Sequence, residues 1–253
     1  MTRPQPQFEA RLARTEAELL AAQRLRYRVF VEELGGGGAL VDHAARLERD
    51  RFDPFFDHLL LFDHARPSDP VVGVYRLLTD ARAAEAGQFY GEDEYDLTVL
   101  RASGRKLLEL GRSCLHPDYR GGPAMMLMWN AVAEYVSERG IEVLFGTASF
   151  HGTEIAPLAP SLSLLHARHL APEALRVRAR PEAFQPMDLM PEAQIDRLAA
   201  MRAVPPLIKG YLKLGGVVGE GAYVDHAFNT VDICLILDSQ TLNEKQSRLL
   251  LRG

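Results

Sequence analysis

Cysteine is scarce in this 253-residue sequence: Cys114 and Cys234 are the two present, far apart and in no CxxC pair. That excludes a disulfide framework and a thiolate-bound zinc site. No apolar run approaches the roughly 20 residues that span a bilayer, and the opening MTRPQPQFEARLAR has no apolar segment of the kind that starts a secretory leader. A cytosolic address is expected. Basic excess is missing too, with 29 Lys and Arg against 34 Asp and Glu and a net charge of -5. This argues against a general nucleic-acid binder, because neutralising phosphates takes a surplus of cations. Internal repeats and long low-complexity linkers are absent; the run Gly35 to Gly38 reads as a loop, too short to separate domains.

The apolar content of 47% is enough for a sizeable core. Thr15 with Glu18 three residues on is a capping-box pattern, and Leu19, Ala22, Leu25 and Val29 carry the helix it opens to about Leu34. Strand-like runs at His58 to Phe62 and Val71 to Leu78, joined by a Pro/Asp/Ser segment, predict an antiparallel hairpin. A third run, Lys106 to Leu115, precedes Pro117 and a glycine pair. Met125, Met128, Trp129, Val132 and Val136 mark one face of a helix stopped by Gly140, and a strand, Ile141 to Phe150, follows. A proline-interrupted helical region, Ile155 to Leu170, and strands at Val217 to Val224 and Thr230 to Leu237 complete the pattern. The order predicts a mixed α/β fold with a mainly antiparallel sheet.

Several charges stand in apolar runs. In LELGRSCLHPDYRGG, regular alternation puts Glu109 on the face of Leu107, Gly111 and Ser113, and Arg112 on the face of Leu108, Leu110 and Cys114. Burying an unpaired charge costs several kcal/mol, so either these groups are partnered or the strand end opens on a polar pocket. A bulge near Gly111 would bring both to one face. Arg76 is in phase with Val72, Val74 and Leu78, and Arg26 and Phe30 lie four apart on the first helix. The stretch ERDRFDPFFDHLLL mixes Glu48, Asp50, Asp53 and Asp57 with three phenylalanines, which suits a solvated acidic turn or a small cationic ligand. From His116 to Pro123 a strand meets a helix amino terminus, where free N–H groups favour an anion. Cys114 on an apolar strand face reads as packing rather than as a nucleophile. His166 and His169 have no evident third ligand, so no metal is expected.

Strand, Arg120-Gly121-Gly122 loop, helix and strand together resemble the central unit of the GNAT acyltransferase superfamily. Arg26/Phe30, Asp50/Asp53, Arg76 and Glu109/Arg112 occur in the order seen in acyl-homoserine-lactone autoinducer synthases. From about Arg24 to Asp238 the chain resembles more fully the ornithine-lipid N-acyltransferases, sometimes labelled hemolysin-like, through RYRVFVEELG, VVGVYRLL, LELGRSCLHPDYR, LFGTASFHG and PPLIKGYLKLGGVVGEGAYVDHAFNTVDICLILD. The resemblance implies a single GNAT-like acyltransferase domain over residues 15–253, with a mixed, mostly antiparallel central sheet flanked by helices. Residues 1–14 are expected to be a flexible lead.

It further implies transfer of a 3-hydroxyacyl chain from acyl carrier protein to the α-amine of ornithine, giving lyso-ornithine lipid. Glu109 and Arg112 are then the catalytic pair, with Glu109 as base and Arg112 holding it in register. Backbone N–H groups from Ser113 to Leu115 meet the oxyanion, and Arg120, Gly121 and Gly122 hold the donor phosphate. Pro123 after the glycine pair departs from the usual Arg-x-x-Gly-x-Gly/Ala, which favours the single phosphate of carrier-borne phosphopantetheine, with CoA the alternative donor. No other cofactor is implied. Arg26, Phe30, Asp50, Asp53 and Arg76 are the acceptor-binding set. The clusters Arg24/Arg26/Arg28 and Lys209/Lys213 are candidates for docking the acidic carrier, and peripheral contact with the inner membrane fits a lipid product. Two other readings stay open, a same-fold transferase for another amine, such as a signal synthase, and a non-catalytic acyl-carrier-binding module.

Overall fold

The computed structural model describes residues 5–39 and 41–241. Residues 1–4 of the expected flexible lead and 242–253 of the expected domain lie outside the described residues. In chain order the elements begin β1 (Phe8–Leu12), α1 (Glu16–Arg26), β2 (Asp57–Asp63), β3 (Val71–Thr79) and α2 (Asp80–Ala86). They continue with β4 (Tyr95–Asp96), α3 (Thr98–Ala102), β5 (Leu107–Leu115), α4 (Ala124–Arg139), β6 (Val143–His151) and α5 (Ile155–His169). The last are β7 (Arg178–Ala179), β8 (Phe184–Gln185), α6 (Arg197–Ala203), α7 (Pro206–Lys213), β9 (Val217–Val218), β10 (Ala222–Asp225) and β11 (Thr230–Asp238). These form two compact units, one from residues up to 86 with 110–140, the other from 87–109 with 141–241. The chain passes between them within β5, at Glu109 and Leu110.

In the first unit β1, β2 and β3 pair antiparallel, and the second half of β5 lies beside β3. The hairpin of β2 and β3 forms as the alternation predicts. Phe8–Leu12, expected to be flexible, is instead an edge strand on β2. Its alternating charges explain the fit: Arg11 stacks 4.1 Å over Phe62 and binds Glu18 on α1 through two hydrogen bonds of 2.7 and 3.1 Å. Those bonds from Arg11, with a further one from Arg14 N–H, hold the Glu18 carboxyl down at about 2.

Thr15 caps α1 as expected, its hydroxyl accepting from Glu18 N at 3.2 Å. The helix then widens: Tyr27–Glu33 is π-helical, closed by Leu34 N to Val29 O and Gly36 N to Phe30 O. Ala22, Leu25 and Val29 pack with Leu60, Phe62, Val71, Val74 and Cys114. Burial there raises the Cys114 thiol to about 12, which leaves it protonated and inert. On α4 the buried stripe is Ala124, Met128, Val132 and Tyr135, with Gly140 ending the helix at φ 61°. Met125, Trp129 and Val136, assigned to that face by spacing, are only half-buried.

In the second unit the first part of β5 pairs parallel with β6 over three residue pairs, the last being Glu109 with Phe145. β6 and β11 pair antiparallel over nine positions, Thr230 with His151 through Asp238 with Val143, and β10, β9 and β8 extend this arrangement antiparallel. The expected strand from Val217 to Val224 is split into β9 and β10. Its glycines cause the break: Gly221 has φ 76°, and a Cβ on Gly219 would lie 2.8 Å from Val177 Cγ2. Helix α5 runs unbroken through Pro160, against the expected interruption. Among the described residues no helix is long and apolar enough to cross a membrane.

Candidate active site

Arg26 leaves α1 just where the π-helical turn begins, and Arg76 projects from β3. Both are fully buried. Between them the segment following the first helix brings in three carboxylates. Arg26 donates through Nε to Glu48 Oε2 and through Nη1 to Asp53 Oδ1 at 2.7 Å. Arg76 Nη1 donates to the same Asp53 oxygen and to Asp50 Oδ2, each at 2.7 Å, while its guanidinium lies 4.2 Å over the Phe56 ring. Gln23 Nε2 donates to the other Asp53 oxygen at 2.9 Å, and His58 Nε2 lies 3.0 Å from the Asp53 carbonyl.

Arg112 completes the set from β5. Its Nε donates to Glu48 Oε1 at 3.2 Å and its Nη2 reaches Asp50 Oδ2 at 3.5 Å, with the Phe30 ring 6.0 Å from its guanidinium carbon. Its backbone has φ 49°, left-handed for a residue with a side chain. That conformation costs on the order of 1–3 kcal/mol and persists where the surroundings over-determine it. Here two ion pairs do so, and the reversal ends the simple alternation along LELGRSCL. The irregularity expected near Gly111 falls one residue later.

Three arginines thus meet three carboxylates. Burial by itself would raise the Glu48 carboxyl, but the charges of Arg112, Arg26 and Arg76 outweigh it and hold that group near 2. Asp53 is likewise pushed below its ordinary range, burial being overcome by Arg26 and Arg76. Burial would also lower Arg26, and the charges of Glu48 and Asp53 reverse that. The members that still reach solvent are Arg112 and Asp50, with side chains 13% and 18% exposed. Of the expected acceptor-binding residues, Arg26, Asp53 and Arg76 are therefore committed to one another, and Asp50 stands at the rim. Arg26 is also withdrawn from any exposed basic cluster with Arg24 and Arg28. Glu48, read from sequence as part of a solvated acidic turn or a site for a small cationic ligand, is instead the ion-pair partner of Arg26 and Arg112.

Glu109 is held differently. It is 1% exposed, and its two oxygens accept from Tyr90 N at 2.7 Å and Gly91 N at 2.6 Å. A Cβ on Gly91 would sit 2.9 Å from Glu109 Oε1, so glycine is what lets this turn close on the carboxylate. Glu92 fixes the turn in place, accepting from Phe89 N at 2.7 Å and from Arg101.

Arg120, at the start of the glycine loop, is bound through both terminal nitrogens to Glu33, at 2.5 and 2.7 Å, and through Nε to the Leu115 carbonyl. Gly121 adopts φ 74°, and nothing lies within 4 Å of where a Cβ would be on it. Helix α4 starts after Pro123 with no side-chain cap, so its first N–H groups face the loop end. Ser113 is half-buried and Leu115 buried. A group missed from sequence is Glu94, Asp225 and Asp232, which offer carboxylate oxygens within 4.8 Å of one another, Asp232 also accepting from Thr230 Oγ1. No pattern flagged it, because its members come from a turn, β10 and β11.

A mostly antiparallel architecture that includes the parallel β5–β6 pair, those two strands being joined through a glycine loop and a long helix, is the framework of a GNAT acyltransferase. The acetyltransferase (GNAT) domain family matches residues 25–130. The fold is shared with FeeM, an N-acyl amino acid synthase from uncultured soil microbes (TM-score 0.54, 15% identity, covering 94% of this chain and 93% of that one). It is shared too with the AHL synthase LasI (TM-score 0.52, 14% identity, 98% and 96%). An L-ornithine N(alpha)-acyltransferase of Rhodobacter capsulatus is 60% identical over 241 residues, 94% of this chain and 92% of that protein, and one of Brucella abortus is 43% identical over 94% and 86%. The chain belongs to the L-ornithine N(alpha)-acyltransferase family and is an N-acyltransferase.

Proposed function

We propose that the protein transfers a 3-hydroxyacyl group from the phosphopantetheine thioester of acyl carrier protein to the α-amine of L-ornithine, giving lyso-ornithine lipid. The observation that carries the acceptor is the 60% identity, over nearly the whole chain, to a protein named for acylating that amine. In the reaction the neutral amine nitrogen attacks the thioester carbon, the carbonyl oxygen becomes an oxyanion, the carbon–sulfur bond breaks, and the amine loses one proton while the thiolate gains one. Glu109 is assigned that proton. Its oxygens accept from the Tyr90 and Gly91 N–H groups, and, being 1% exposed, it receives the proton through a relay or after that turn shifts.

The N–H groups from Ser113 to Leu115 are assigned to the oxyanion. They follow the last β5–β6 pair along the strand, which supports the assignment. Arg120, Gly121 and Gly122, with the uncapped start of α4, are assigned to the donor phosphate, a single phosphate fitting a loop that ends in Pro123; CoA would present more. Asp50 and Arg112 are assigned to the acceptor's ammonium and carboxylate, with Phe30 beside Arg112. Arg26, Arg76, Asp53 and Glu48 fix those two side chains from behind.

The test is to incubate the purified chain with 3-hydroxyacyl carrier protein and L-ornithine and to read products by mass spectrometry. N-acylornithine acylated on the α-nitrogen is expected. Transfer to another amine only, or binding of the carrier with no turnover, overturns the reading.

A further inference from the structure

From Arg197 to Leu214 the sequence carries four cations, Arg197, Arg202, Lys209 and Lys213, and no carboxylate, in a chain of net charge -5. This stretch forms α6 and α7. Asp196 caps α6, its carboxylate accepting from Leu198 N and Ala199 N at 3.1 Å each, which fixes the first turn. One face of α6 is anchored: Ala200, 2% exposed, packs with Leu164 and Ile195. The other presents Leu198 at 76% exposure, the most exposed large apolar side chain among the described residues. Arg202 lies one turn on, also exposed, and Lys209 donates through Nζ to the Arg202 carbonyl at 3.1 Å. Arg197 is offset by Glu192, 3.1 Å away, and contributes less.

A lone exposed leucine is ordinary. A leucine held out by a helix capped by Asp196, with Arg202 exposed one turn on, Lys209 bound to the Arg202 carbonyl and no carboxylate from Arg197 to Leu214, matches the interface of an anionic bilayer, where cations meet phosphates and the apolar side chain enters the acyl boundary. A folded acidic protein would satisfy the cations but would also need a pocket for Leu198 within a much larger buried area. We propose that Leu198, Arg202 and Lys209 form a peripheral docking surface for membranes that contain anionic lipid. The inference does not depend on which amine is acylated.

The test is co-sedimentation of the full chain with vesicles of phosphatidylglycerol and phosphatidylethanolamine, against vesicles of phosphatidylcholine, at low and high salt. Binding is expected to the anionic vesicles at low salt. Leu198→Asp is expected to cut it by about tenfold, and Arg202→Glu by at least about fivefold, while acyl transfer on soluble substrates and the circular dichroism spectrum stay as in the unmodified chain. A chain that does not sediment with anionic vesicles overturns the proposal, as do both variants sedimenting undiminished. Arg202→Glu weakening use of the acyl carrier with vesicle binding intact also overturns it, and gives the face to the carrier protein.

Discussion

Two buried carboxylate systems in this protein solve the same problem in opposite ways. Around Asp53 the compensation comes from side chains: Arg26, Arg76 and Gln23 all donate to one group, and Glu48 and Asp50 share the same arginines and Arg112. Around Glu109 the donors include two backbone N–H groups of a glycine-containing turn. The first arrangement is an interlocked set in which removing one member leaves its partners charged and dry. In the second, two of the donors left behind are neutral main-chain groups. Stability should therefore depend most on the first, while at the second the loss of activity should outrun the loss of stability.

The largest effect is expected from Arg76→Met. It removes a fully buried cation from between Asp50 and Asp53 and should cost about 3–5 kcal/mol, read by urea denaturation. Asp50→Asn, at the rim, should cost less than half of that. Equal costs at both positions would mean the set is not interlocked. The pH dependence follows the same logic. Glu48 has a folded pKa near 2, below its ordinary 4.5. Its stabilisation is therefore complete above about 4.5 and is lost as pH falls from there toward 2. Stability of the native chain should drop steeply in that window. Glu48→Gln should start lower and lose less of it.

Next in size comes Glu109→Gln. The amide oxygen can still accept from one of the two N–H groups, but its NH₂ must face the other. A stability cost of about 1–3 kcal/mol is expected from the stranded donor. Acyl transfer should fall by at least about a hundredfold if the carboxylate takes the proton. A variant that loses stability yet turns over normally would make Glu109 a clamp for the Tyr90–Gly91 turn alone.

The contrast also explains what could be read from the sequence. Long periodic elements were legible: the β2–β3 hairpin, α1 with its Thr15 cap, α4 with Gly140, and β11. So was the set of charges in apolar phase, because a buried charge must be answered somewhere. What answers it was not legible. Alternation placed Arg112 by assuming an extended strand, and its left-handed φ resets the count. Glu48 lies in a segment with no period to place it. Two of the Glu109 donors are main-chain groups, which leave no trace in residue type apart from Gly91, where a side chain would collide. β1 was missed because five alternating residues after PQPQ carry too little apolar signal. The break between β9 and β10 comes from contacts with Val177 and Phe184, distant in sequence.

The smallest effect tests a third kind of charge pair, the exposed one. Arg120 and Glu33 are both about two-fifths exposed, at 41% and 37%, so solvent screens their bidentate bond. Removing it through Glu33→Gln should change stability by less than about 1 kcal/mol. Its consequence should instead appear in donor binding. Glu33 occupies the guanidinium that the donor phosphate is proposed to use, so the phosphate must compete with a carboxylate already in place. Glu33→Gln should lower the KM for the acyl carrier about threefold at unchanged kcat, and Arg120→Gln should raise it about tenfold, in keeping with the worth of a charge-assisted hydrogen bond. A higher KM in Glu33→Gln would reverse the interpretation, because the carboxylate would then be aiming Arg120 at the phosphate instead of shielding it.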